Sequence, residues 1–126
     1  MKKKSMSTKT LFKIQSVIFL INGLGQLFVT KRYFELASIE VNPECYAMGQ
    51  CLGAILIFFS ILLWKTADFG GNYLNKFAGI YAIGALIWIT TMGYHLTTGI
   101  IEGPAVFINI AFLIVFAALN FKASRE

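Results

Sequence analysis

Four long runs of apolar residues, none with a Lys, Arg, Asp or Glu in its central part, constrain this chain more than any other feature. They cover about 11–29, 43–64, 75–98 and 104–121. Each approaches the roughly 20 residues a helix needs to cross a bilayer core. Backbone groups in lipid must be satisfied within the segment, and runs of this length without strict alternation are helices rather than barrel strands. We therefore expect an all-α integral membrane four-helix bundle, a single transmembrane domain spanning residues 1–126. Composition points the same way. The chain is 57% hydrophobic and 13% charged, where a soluble domain carries about 25% charged residues. A domain of 126 residues has too little interior to hide that much apolar surface. It must face the lipid bilayer or other membrane helices, from this chain or from partner subunits.

The helix starts are marked. Asn42-Pro43-Glu44 supplies a capping side chain, a proline at the first helical position and an acid in the first turn. Gly103-Pro104 repeats the proline, and Gly70-Gly71-Asn72 breaks the chain between the second and third runs. Trp64 beside Lys65 suits a headgroup boundary at the end of the second. Residues 30–42 mix apolar and charged side chains, as either a short interfacial helix or an irregular loop would.

Basic residues orient the chain. Lys2, Lys3, Lys4, Lys9, Lys13, Lys65, Lys76, Lys122 and Arg125 fall at the ends shared by both termini and the 65–76 connection, against Lys31 and Arg32 on the other side. Cytoplasmic loops retain such residues, so both termini are expected inside. The net charge of +5 is thereby a topology signal. Nucleic-acid binding is excluded as a reading, since the basic residues sit at helix ends and form no polar face with interleaved aromatics. The lysine-rich start resembles a signal peptide, but no A-x-A site follows, so an uncleaved first helix is expected. Cys45 and Cys51 match neither a CxxC pair nor a zinc knuckle. On one helix they stand about 9 Å apart along the axis, too far for a disulfide, and two small buried thiols are expected.

Placed by depth, the intramembrane polar residues gather in the outer half: Asn22 and Gln26, Gln50, Thr91, Tyr94 and His95, and Asn109. The inner half reads as nearly pure Leu, Ile, Phe, Ala and Val, with Ser60 the clearest exception. Unpaired polar groups in hydrocarbon cost several kcal/mol, so these side chains should turn inward and meet. They form either an interhelical hydrogen-bond layer or a polar pocket with His95 and Gln26 as its most reactive or recognising groups. His95, the sole histidine, is a possible axial ligand to haem iron or chlorophyll magnesium. The sequence itself requires no cofactor and no metal. Gly49 and Gly53 form a GxxxG pair suited to close helix packing, with the partner helix unspecified.

Several motifs fail on inspection. Thr90-Thr91-Met92-Gly93-Tyr94-His95 superficially resembles a potassium-channel filter, but histidine replaces the glycine after tyrosine and no re-entrant loop precedes it. Small multidrug transporters need a glutamate in helix one, where this chain has Asn22 and Gln26. The threonine-threonine-phenylalanine-serine stretch of fluoride channels is absent. No Ser-His-Asp set or paired carboxylate nominates a catalytic mechanism, so the chain reads as a non-enzyme.

Gly23-x-Gly25, Tyr33-Phe34-Glu35-Leu36, Asn42-Pro43-Glu44, Gly53-Ala54 and Leu62-Leu63-Trp64 together resemble small bacterial four-helix membrane proteins of the DoxX-like kind. The resemblance covers about the first half of the chain. It implies a bundle in a bacterial inner membrane and no residue-level function. Small size and minimal loops favour an interaction or accessory subunit of a homo-oligomer or larger complex, binding partners near Gly49 and Gly53. A small-solute transporter or channel using the outer polar layer, and a redox or pigment subunit using His95, are the alternatives.

Overall fold

The computed structural model describes residues 7–126; Lys2, Lys3 and Lys4, counted in the orientation argument, lie outside them. The described chain is helical: α1 (Thr8–Phe28), α2 (Thr30–Glu35), α3 (Pro43–Phe69), α4 (Leu74–Thr97) and α5 (Pro104–Ser124). All but α2 are long and apolar enough to cross a membrane. Helices α1 and α4 run one way and α3 and α5 the other. One end of the bundle therefore collects the two termini and the α3–α4 connection (the terminal end). The opposite end collects α2 and the α4–α5 connection (the loop end).

Local chemistry sets the boundaries. Ser7 caps α1 by accepting from the Thr10 amide at 3.1 Å, three residues earlier than the apolar run suggests. Asn42 caps α3 in the same way through the Cys45 amide at 2.7 Å, with Pro43 at the first position. Helix α3 continues to Phe69, past the expected end at Trp64. Its last turns are polar, so hydropathy ends while the helical hydrogen bonds go on. Lys13 holds Asp68 at 2.9 Å and sits 4.4 Å over the Trp64 ring. Helix α5 likewise extends to Ser124.

Two helix pairs build the bundle. Along α1–α3 the backbones touch: a Cβ on Gly53 would lie 2.7 Å from the Leu27 amide nitrogen and 2.8 Å from the Gly23 carbonyl. Only glycine permits that approach. The second pair is α4–α5. The pairs meet at the terminal end, where Leu11, Phe12, Leu63, Ala67, Ala78 and Phe116 form a buried cluster. Here the Phe12 ring stands edge-on to Tyr81 at 5.0 Å.

This end is less apolar than the sequence suggests, and Ser60, the exception singled out there, is one of four buried polar residues in it. Ser16 and Ser60 clasp α1 to α3 reciprocally, each hydroxyl donating to the other residue's carbonyl at 2.7 Å. Asn120 donates to Gln15 Oε1 at 2.9 Å and to the Phe116 carbonyl at 2.8 Å, and Gln15 donates back to Asn120 Oδ1 at 3.4 Å. All four residues are buried. An interhelical polar layer therefore exists, at the opposite end from the one predicted. Hydropathy averaging masked it, because single amides and hydroxyls barely lower the mean of a long apolar run.

Candidate functional site

Toward the loop end the two pairs separate, leaving a cavity of about 220 Å³ lined by all four long helices. Helix α1 contributes Asn22 and Gln26, α4 contributes Trp88 and Met92, and α5 contributes Val106 and Asn109. Leu52 and Leu56 enter from α3. The roof is made by the connections. Ala37, Ile39 and Ile101 line it, and the Glu102 amide ties the two loops by donating to the Ala37 carbonyl at 3.2 Å. Gly103 follows at φ 105° with the Leu36 carbonyl close by, a conformation and proximity that a side chain would oppose. Leu52 on α3 and Phe112 on α5 line the cavity while remaining exposed, so it opens sideways between helices, onto lipid if the bundle is inserted.

Short α2 organises the polar wall. The Thr30 hydroxyl turns back to the Gln26 carbonyl at 2.5 Å and is buried. Phe34 packs onto Gly49, where a Cβ would collide with its ring. Tyr33 folds down over Gly25, whose missing side chain leaves room for the ring, and donates its hydroxyl to Asn22 Oδ1 at 2.8 Å. Asn22 in turn donates a hydrogen bond from Nδ2 to the Ile18 carbonyl at 3.0 Å. Burial pushes the Tyr33 phenol up, with the nearby Gln26 side chain pulling the other way to a smaller extent. Tyr33 therefore remains a neutral donor at physiological pH.

Gln26 differs from its neighbours. It is 8% exposed, lines the cavity, and its Oε1 atom accepts no hydrogen bond. A buried amide oxygen without a donor costs about 1–3 kcal/mol.

Of the residues predicted to meet, the structure brings together Asn22, Gln26 and Asn109. Gln50 is half-buried and spent on α1, donating to the Leu27 carbonyl at 3.3 Å. Thr91 and Tyr94 are a correction: both are exposed. The Thr91 hydroxyl is satisfied by the Ile87 carbonyl of its own helix at 2.9 Å, so nothing drives it inward. His95 also stands outside the cavity lining. Its ring is edge-on to Tyr94 at 5.4 Å, and its buried Nδ1 has no partner. No group of three or more His, Cys, Asp or Glu gathers among the described residues.

Two further expectations change. Gly49 and Gly53 are covered from within the chain, by α2 and α1 respectively, so they are not a free docking surface for a partner. Cys45 and Cys51 are free thiols, half-buried and exposed respectively, and Cys51 stands on an apolar face rather than in a core. Sequence reasoning missed Tyr33. The available signal was Gly25 preceding an aromatic pair within reach of two intramembrane amides.

The chain matches no protein-family model, no curated protein and no solved structure.

Proposed function

We propose that this chain is a non-enzymatic multi-pass protein of a bacterial cytoplasmic membrane that binds a small, mainly apolar molecule between its helices. The observation that carries the proposal is the cavity of about 220 Å³ with three amide side chains and the Tyr33 phenol on otherwise apolar walls. Ligand pockets have this character: apolar lining with a few placed polar groups. Its sideways opening suits a molecule that arrives through lipid. The basic residues support an orientation with the terminal end in the cytoplasm and the cavity in the outer leaflet.

Trp64→Phe leaves Trp88, which lines the cavity, as the only tryptophan. In detergent, propylbenzene should change Trp88 fluorescence saturably. Val106→Phe, which grows into the void from a buried position, should abolish the saturable part while leaving a folded, monodisperse protein. A linear, unsaturable response in both proteins would mean partition into the micelle and would remove the proposal. Orientation is tested separately in a Cys45→Ser, Cys51→Ser background. A membrane-impermeant maleimide on intact cells should label Glu40→Cys and spare Glu126→Cys; the reverse pattern would invert the topology.

A second role, as a subunit of a larger membrane assembly, is favoured by α4. Only Ala78 and Ala82 of this helix are buried, and a Cβ on Gly84 or Gly93 would meet nothing within 4 Å. In membranes such small residues often mark close approach by another helix.

A further inference from the structure

The terminal end, away from the cavity, concentrates basic charge. Lys9 and Lys13 on α1, Lys65 on α3, Lys76 on α4, and Lys122 and Arg125 on α5 put a cation on every long helix there. The acids at this end are Asp68 and Glu126. Among the described residues the one ion pair is Lys13 with Asp68, at 2.9 Å. Lys9, Lys65, Lys76, Lys122 and Arg125 are exposed and outside any ion pair. The loop end has the opposite balance, with Glu35, Glu40, Glu44 and Glu102 outnumbering Lys31 and Arg32.

Aromatic rings accompany these cations. Lys13 Nζ lies 4.4 Å from the centre of the Trp64 ring and Lys65 Nζ 5.9 Å from that of Phe69. Lys76 Nζ lies 5.5 Å from the Tyr73 ring, and the Arg125 guanidinium 5.6 Å from the Phe121 ring. All four rings are exposed, Phe69 most of all at 79%. Phe69 and Tyr73 flank the Gly70-Gly71-Asn72 break, so the connection itself presents apolar rings. In water these rings would be poorly placed. At a bilayer surface the ring meets the acyl boundary while the cation over it reaches the phosphate layer. Cations spread over four helices fit an extended negative surface better than one bound anion.

We infer that the terminal end binds anionic phospholipid headgroups, with Lys65, Lys76 and Arg125 on the phosphates and Phe69, Tyr73 and Phe121 seated at the acyl boundary. The loop end, where acids are in excess, carries no such preference. The inference rests on the bilayer reading above and is independent of the cavity.

The test reads both ends with one probe. Trp88→Phe leaves Trp64 at the terminal end as the only tryptophan, and Trp64→Phe leaves Trp88 beside the cavity. Each purified protein is reconstituted into vesicles of equimolar phosphatidylcholine and phosphatidylglycerol. One lipid or the other carries dibrominated acyl chains, which quench tryptophan on contact. Quenching of Trp64 should report phosphatidylglycerol held about fivefold more tightly than phosphatidylcholine, the equivalent of about 1 kcal/mol per cation at an anionic surface. Trp88 should report no preference. Lys9→Gln, Lys65→Gln, Lys76→Gln, Lys122→Gln and Arg125→Gln together should lower the Trp64 preference to about twofold or less, with helix content by circular dichroism unchanged. Inorganic phosphate at matched ionic strength should leave the preference intact. Parity at Trp64, an equal preference at both tryptophans, or a preference undiminished in the five-site variant would overturn the inference and leave the cavity reading standing. Loss of the preference to phosphate would overturn it in favour of a discrete anion site. Absence of quenching by either lipid would remove the bilayer reading as well.

Discussion

At the terminal end, Gln15 and Asn120 exchange hydrogen bonds between α1 and α5, and Ser16 and Ser60 do the same between α1 and α3. At the loop end, Gln26 is about as buried as those residues, yet its carbonyl oxygen meets no donor. The same helix, α1, supplies all three of Gln15, Ser16 and Gln26. The difference lies in what faces them. Below, α5 completes Gln15 and α3 completes Ser16. Above, the two helix pairs part, and the polar groups border a void. Polar residues in one bundle thus stand in two states: at the terminal end they are paired across helices, and at the loop end Gln26 Oε1 is buried without a partner.

The contrast rests first on the α1–α3 contact, which runs the length of the bundle and anchors both halves. Gly53→Ala should therefore have the largest effect. Its new Cβ meets backbone atoms of Leu27 and Gly23 that no rotamer change can move, and overpacking of this kind costs about 1–3 kcal/mol. Gly84→Ala on α4 meets nothing within 4 Å and should leave stability unchanged within about 0.5 kcal/mol. Equal losses in a denaturing-detergent titration would mean that α1–α3 is not the spine of the fold.

Asn120→Leu comes next. It removes three hydrogen bonds and strands both ends of the Gln15 amide, for an expected loss of about 1–2 kcal/mol. Gln15→Leu should cost a similar amount, and the double variant less than the sum of the two. Strict additivity would sever the pair and blunt the contrast between the halves.

Much of this fold was readable from hydropathy. Pro43 and Pro104 mark helix starts at the residues where α3 and α5 begin, and four apolar runs lie on the four long helices. Asn22, Gln26 and Asn109 were legible as a set because amides in hydrocarbon stand out. What escaped depends on rotation and convergence, which a single sequence does not encode. Thr91 satisfies its own helix and faces outward, although its spacing from His95 suggested a shared inward face. Gln15 and Asn120 lie more than one hundred residues apart in the chain, and only the packing of α5 beside α1 brings them together. Tyr33 belongs to a connection whose mixed composition fits either a short interfacial helix or an irregular loop, and neither reading singles it out, yet its hydroxyl organises the cavity wall.

The most direct test sets Asn120→Leu beside Gln26→Leu in one unfolding titration of ligand-free protein in mixed micelles. Asn120→Leu should destabilise, because it breaks a completed polar group. Gln26→Leu should be neutral or stabilise by about 1 kcal/mol, because it deletes a buried acceptor that has no partner. Opposite signs would establish that one half of the bundle is held by its polar residues and the other is kept open by them. A loss of stability on Gln26→Leu comparable to that of Asn120→Leu would contradict the account and make both layers part of the same structural scaffold.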